Sequence, residues 1–176
     1  MKILGEKSLS SKVEHGLEAV FIIIALIDFV VLAILITVTI SEFSRYNITN
    51  ILQPISLTLA LGVFLATGIV ALYIISKFIK IFRNLKENKL FDNNNSNHLN
   101  KISISSIIIG ILYFVIMVSL MYYIKSLAIN IEVTILCSLL LGTFSIAFIL
   151  LGIGIRILNE IYKKAIEYKE ENDLTV

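Results

Sequence analysis

An acid, Asp28, stands near the middle of the first long apolar run of this 176-residue chain. An ionisable group at such a depth can relay a proton or a cation. It lies about eleven residues inside the run, roughly 16 Å along a helix, close to the centre of a bilayer. Placing it there costs roughly 2.5–3.5 kcal/mol on insertion scales, so it must face other helices. Matching depths across antiparallel spans predicts one intramembrane polar layer of Asp28, Thr67, Tyr113, Thr143 and Ser145. A relay ordinarily strings together several ionisable groups, and this layer has one. The simpler expectation is a hydrogen bond that joins two helices, a contact worth about 0.6 kcal/mol on average in membranes. Glu18, nearer the interface, is expected to reach water or pair with Lys12 or His15.

Other chemistry is thin. The sequence has no P-loop, no GxSxG, no HExxH and no His pair at ligand spacing. His15 and His98 stand alone in polar segments, and no serine in the apolar runs has a His or Lys placed as its base. The single cysteine, Cys137, excludes an intrachain disulfide framework. The expectation is a protein that is not an enzyme and carries no cofactor and no metal.

The elements that hold these residues are apolar to an unusual degree. Hydrophobic residues make up 57% of the chain and charged residues 16%, against about 45–50% and about 25% in soluble domains. Four runs are long enough to cross a hydrocarbon core about 30 Å thick, at about residues 17–40, 55–76, 102–124 and 133–155. Helices are required, because unpaired backbone groups in lipid cost several kcal/mol each and no strand alternation is visible. The fold expected is therefore an all-α, integral-membrane four-helix bundle forming one domain over residues 1–176. Small residues at close spacing (Gly62 with Ala66, Ser106 with Gly110, Ser138 with Gly142, and Gly152 and Gly154) read as helix-packing positions and leave homo-oligomerisation open.

Lys and Arg set the orientation. Thirteen of the 15 lie in the N-terminal segment, the middle loop and the C-terminal tail; only Arg45 and Lys125 fall on the other side. Both termini are thus expected in the cytoplasm, with the lipid bilayer as the main partner. A net charge of +2 gives no reason to expect direct nucleic-acid binding.

Helical spacing continues past the second and fourth runs. Phe78, Ile81, Phe82 and Leu85 form one stripe before an Asn-rich stretch, Asp92 to Asn100, that reads as a mobile turn. Leu158, Ile161, Tyr162, Ala165 and Tyr168 extend the fourth helix into the 156–176 tail. The end of that tail has two readings, a solvated helix end or a docking peptide. In the second, Glu170, Glu171 and Asp173 steer a partner while Leu174 and Val176 anchor it.

Phe91 at the close of the basic helix, His98-Leu99-Asn100-Lys101-Ile102 opening the third run, and the ending Glu171-Asn172-Asp173-Leu174-Thr175-Val176 resemble one bacterial family. It is the domain-of-unknown-function family DUF2975, whose members are small four-span membrane proteins with a Glu-x-Asp-Leu-Thr-Ile/Val tail. Lys89-Leu90 before Phe91 departs from the family, which more often has Pro or a small residue there. The resemblance implies a multi-pass protein of the bacterial plasma membrane with no established biochemical activity. Genes of the family often neighbour a small helix-turn-helix regulator, which implies a regulatory membrane component that contacts such a cytoplasmic partner through its tail. The alternative is a small transporter or immunity-type protein built on the layer around Asp28.

Overall fold

A computed structural model of the chain describes residues 9–45, 52–87, 89–126 and 131–174. It contains four helices: α1 (Leu9–Arg45), α2 (Leu52–Lys86), α3 (Asn93–Ser126) and α4 (Ile131–Leu174). All four are long and apolar enough to cross a membrane. At 1.5 Å per residue each exceeds a core about 30 Å thick, so each carries polar turns beyond its apolar segment. Pro54 occupies the first turn of α2, where the N–H it lacks has no intrahelical acceptor.

The helices follow one another in space as they do in sequence: α1 packs on α2, α2 on α3, and α3 on α4. This places α2 and α3 inside and α1 and α4 at the flanks. Accordingly α1 half-buries a single stripe of its apolar segment and shows the rest of that surface, including Ile22, Leu26, Phe29 and Val30, to lipid. The core is densest along α3, where Ile102, Ser103, Ser106, Ile109 and Ile116 are buried on one face.

The α3–α4 contact rests on a repeated pattern. Ser103, Ile107 and Gly110 on α3 have the same spacing as Ser145, Ile149 and Gly152 on α4. In antiparallel register the two triplets are reciprocal. The Ser103 hydroxyl donates to the Gly152 carbonyl at 2.8 Å, and the Ser145 hydroxyl donates to the Gly110 carbonyl at 2.7 Å. A Cβ on Gly110 would stand 2.6 Å from Ile149 Cγ1 and 2.7 Å from the Ser145 carbonyl oxygen. One on Gly152 would stand 2.6 Å from Ile107 Cγ1 and 2.8 Å from the Ser103 carbonyl oxygen. Glycine lets the backbones approach closely enough for both hydrogen bonds, the usual role of small residues between membrane helices.

The remaining small residues behave differently. Gly62 and Gly154 have nothing near the position of a Cβ, and Gly142 meets only Met117 Sδ at 3.5 Å. The Asn-rich stretch is not the mobile turn that its composition suggests. From Asn93 onward it is the start of α3. Asp92 accepts from the backbone N–H of Asn94 at 2.8 Å, and its carbonyl accepts from Asn95 N–H at 2.9 Å. The acid caps the helix, and asparagines that would otherwise favour turns are carried into its first turn.

Candidate functional site

The polar side chains gather at the end of the molecule where α1 begins, α2 ends, α3 begins and α4 runs on past its apolar segment. Glu14 of α1 is buried there, with 4% of its surface exposed. It accepts from Arg83 Nε at 3.1 Å, and its other oxygen lies 4.0 Å from Lys86 Nζ, within ion-pair reach but beyond a hydrogen bond. Arg83 also lies 3.8 Å from Glu18, which in turn meets His15 at 3.3 Å. Of the alternatives expected for Glu18, the pairing with His15 is present, and Arg83 is added to it. Because Glu14 cannot reach water freely, its two cations are what make a carboxylate tolerable at that depth.

Asn95 ties the other three helices together. It is 2% exposed, and its amide oxygen accepts from Asn84 Nδ2 of α2 at 2.7 Å. Its Nδ2 donates to the Lys89 carbonyl at 2.9 Å, with longer contacts to the Leu90 carbonyl and Tyr162 Oη, both 3.4 Å. Tyr162 of α4 donates to the Leu90 carbonyl, and its ring stacks on Phe91 with centroids 6.4 Å apart. Lys169 stands 5.7 Å over the other side of this junction, on the Phe91 ring, and Ile166 is buried one turn beyond Tyr162. The α2–α3 connection is thereby clamped to the α4 extension. At its edge Lys89 donates to Glu87 at 2.7 Å. That bond and charge hold the Glu87 carboxyl below its ordinary range and raise the Lys89 ammonium above its own.

A third group of polar atoms lies on α3 and α4. Asn159 is 1% exposed, and neither atom of its amide has a hydrogen-bond partner in the protein. The register that pairs Ser103 with Gly152 and Asn95 with Tyr162 brings Asn159 level with residues 96–98. His98 Nδ1 is likewise buried without a partner. Buried amides are costly when unpaired.

The five residues of the expected polar layer are placed as follows. Asp28 faces α2, where its carboxyl group occupies the space beside Gly68; a Cβ on that glycine would collide with Oδ1. Its Oδ2 is buried without a hydrogen-bond partner. Thr67 is buried and donates to its own helix at Val63, Thr143 is exposed to lipid and donates to Leu140, and Ser145 donates to Gly110. Tyr113 stacks between Phe144 and Phe148 at 6.0 and 5.6 Å. Among the described residues no hydrogen bond joins any two of these five. The reason is the packing order: α1 lies against α2, so Asp28 reaches neither α3 nor α4. Among the described residues no cluster of His, Cys, Asp or Glu is arranged to hold a metal.

Of the tail residues, Glu170 and Glu171 are exposed on the last turns of α4. The helix runs to Leu174; the side chains of Asp173 and Leu174, and the whole of Val176, lie outside the described residues.

A model of the family described as "Protein of unknown function (DUF2975)" matches residues 19–176. The chain belongs to that family. The resemblance carried by the tail thus holds for nearly the whole of this DUF2975 protein. The match takes in Asp28, Asn95, Asn159 and Tyr162, and it begins just after Glu18. No curated protein and no solved structure matches the chain.

Sequence reasoning missed Glu14, Gly68, Asn95, Asn159 and Tyr162 as site residues. A signal existed for the first. Glu14, Phe21, Asp28 and Leu35 recur every seven residues, the spacing of one helix face.

Proposed function

We propose that this DUF2975 protein is a non-enzymatic regulatory component of the bacterial plasma membrane, and that its α4 extension docks a cytoplasmic partner such as a small helix-turn-helix transcription regulator. The observation that carries the reading is the pair of opposite faces on that extension. One face, through buried Asn159 and Ile166 and half-buried Tyr162, packs against the rest of the protein. The other presents Ile157, Ile161 and Tyr168, exposed at 59%, 60% and 71%. Their spacing of four and seven residues forms one apolar stripe, the signature of a helix that lies in a partner's groove.

Exposed Glu160, Glu167 and Glu171 lie along one edge of the stripe with Lys164 among them, and Glu160 pairs with Lys163 at 3.0 Å, so a partner's rim would meet both signs of charge. Asp173, Leu174 and Val176 would continue the contact at the tip. The Lys and Arg asymmetry supports placing this end, with both termini, in the cytoplasm. Anchored by Tyr162 and Ile166, the docking face is preorganised, and it would report to the partner any shift of α4 against α2 and α3.

The test is co-purification with small cytoplasmic helix-turn-helix regulators from cells carrying Ile161→Glu and Tyr168→Glu together. Recovery of the regulator should fall at least tenfold while membrane insertion is retained. Unchanged recovery would refute the docking role. A second reading, transport or immunity through Asp28, draws on its buried, unpartnered carboxylate oxygen. It requires that Asp28→Asn abolish the activity and that the tail be dispensable, the reverse of what the docking account expects.

A further inference from the structure

We infer that the groove between α1 and α2 at the polar end is a binding site for one anionic phospholipid, with its phosphate at Lys80 and Arg83. The groove has a volume of about 500 Å³, within the roughly 300–1,000 Å³ of ligand sites in proteins. Phe21, Ile22 and Ile79 form its apolar wall, and Ser76, Lys80, Arg83 and Glu18 its polar side. Two contacts, Glu14 with Arg83 and Asp28 with Gly68, fix the antiparallel register of these helices. In that register Phe21 comes level with Ser76 and Glu18 with Ile79. The apolar wall therefore points toward the hydrocarbon, and the cations stand at its outer end, the depth at which headgroup phosphates lie.

Charge decides the class of lipid. Glu18 on the groove and Glu14 behind it are the acids that face this cluster; Lys77, Lys80, Arg83 and Lys86 are the bases, and His15 stands beside Glu18. Arg83 is shared by both acids, Lys86 lies near Glu14, and Lys77 sits 4.5 Å over the Tyr73 ring. Lys80 is exposed, and among the described residues it has no ion pair or hydrogen bond. An exposed cation above an apolar groove at the interface attracts an anionic headgroup and gives a zwitterionic one little advantage. Glu18 opposes an anion, but Arg83 and His15 lie against it.

Native mass spectrometry of the full chain in detergent, with equimolar phosphatidylglycerol and phosphatidylcholine, tests the site. Phosphatidylglycerol should be retained over phosphatidylcholine by about fivefold, as expected for one lysine near the surface. Lys80→Gln should bring the ratio to about one. Ile22→Trp, which fills the groove from its exposed side, should remove the bound lipid of either kind. Lys125→Gln, at the opposite end, should leave the preference intact. Equal retention by the unaltered chain, or a preference that survives both groove variants, would overturn the proposal. So would displacement of the lipid by inorganic phosphate, which would identify a soluble anion as occupant, or a dimer in place of the lipid adduct.

Discussion

Replacing Asn95 with alanine should lower the stability of the folded protein by about 3 kcal/mol, or roughly 6–12 °C in the midpoint of thermal unfolding for a chain of this size. The side chain is almost wholly buried and touches three separate pieces of structure. Its amide accepts from Asn84 of α2 and donates to the Lys89 carbonyl, with longer contacts to Leu90 and Tyr162 of α4. Alanine leaves the part-buried Asn84 amide and Lys89 carbonyl without this partner, and it is this orphaning rather than the bonds themselves that costs most. Helical circular dichroism in detergent measures the midpoint. Limited proteolysis adds a local readout. In Asn95→Ala the 87–92 connection should be cut first, because Asn95 and Tyr162 are what hold it. An unchanged midpoint with an uncut connection would mean that Tyr162, through its hydrogen bond to Leu90 and its stack on Phe91, holds the junction without Asn95.

The second large effect lies at the reciprocal clasp of α3 and α4. Gly152→Ala and Gly110→Ala should each cost about 2 kcal/mol, the usual scale for forcing extra carbon into a packed contact. In both cases the added methyl would meet a backbone carbonyl oxygen at 2.7–2.8 Å, which cannot swing aside as a side-chain tip can. The helices must separate, and each substitution weakens the serine hydroxyl bond made to that glycine. Two other glycines serve as controls. Gly62→Ala and Gly154→Ala meet nothing within 4 Å, so they should be neutral to within about 0.5 kcal/mol or slightly stabilising, alanine being the better helix former. Equal losses at all four positions would show that helix propensity or lipid packing governs the result and that the clasp does not.

Much of the architecture is readable before any coordinates. Four apolar runs must become helices because lipid offers the backbone no other partner, and family membership is carried by a short polar ending. What escapes is how the helices meet. Thr67, Tyr113, Thr143 and Ser145 share a depth with Asp28, but depth says nothing of azimuth, and azimuth follows from which helix lies beside which. Once α1 packs on α2, Asp28 meets Gly68 while Ser145 turns to Gly110. The reciprocal triplets of α3 and α4 are present in the sequence. They are hidden because Ser, Ile and Gly at those spacings occur amid many other small and branched residues. The Asn-rich stretch misleads for a different reason. Local preference favours a turn, yet Asp92 caps the helix and burial of Asn95 satisfies the amide through tertiary contacts that no local pattern encodes.

The polar end follows the same logic. Each of its residues has an ordinary local reading: a surface glutamate, an asparagine in a loop, a tyrosine on a helix. Packing of α1 on α2 pairs the glutamate with Arg83, while packing of the α4 extension on the α2–α3 connection joins the asparagine and the tyrosine and leaves Ile161 and Tyr168 facing outward. If that outward face is where a partner docks, the clamp on its inner side is what would link the membrane helices to the partner.

The most direct test is photo-crosslinking in intact cells from an unnatural aromatic residue at position 168, beside the same residue at position 166. The account predicts a crosslink from 168 to a soluble cytoplasmic protein with a DNA-binding domain, and from 166 only crosslinks within the chain. Crosslinks from 168 confined to lipid or to a second copy, or capture of the same partner equally from both positions, would contradict it.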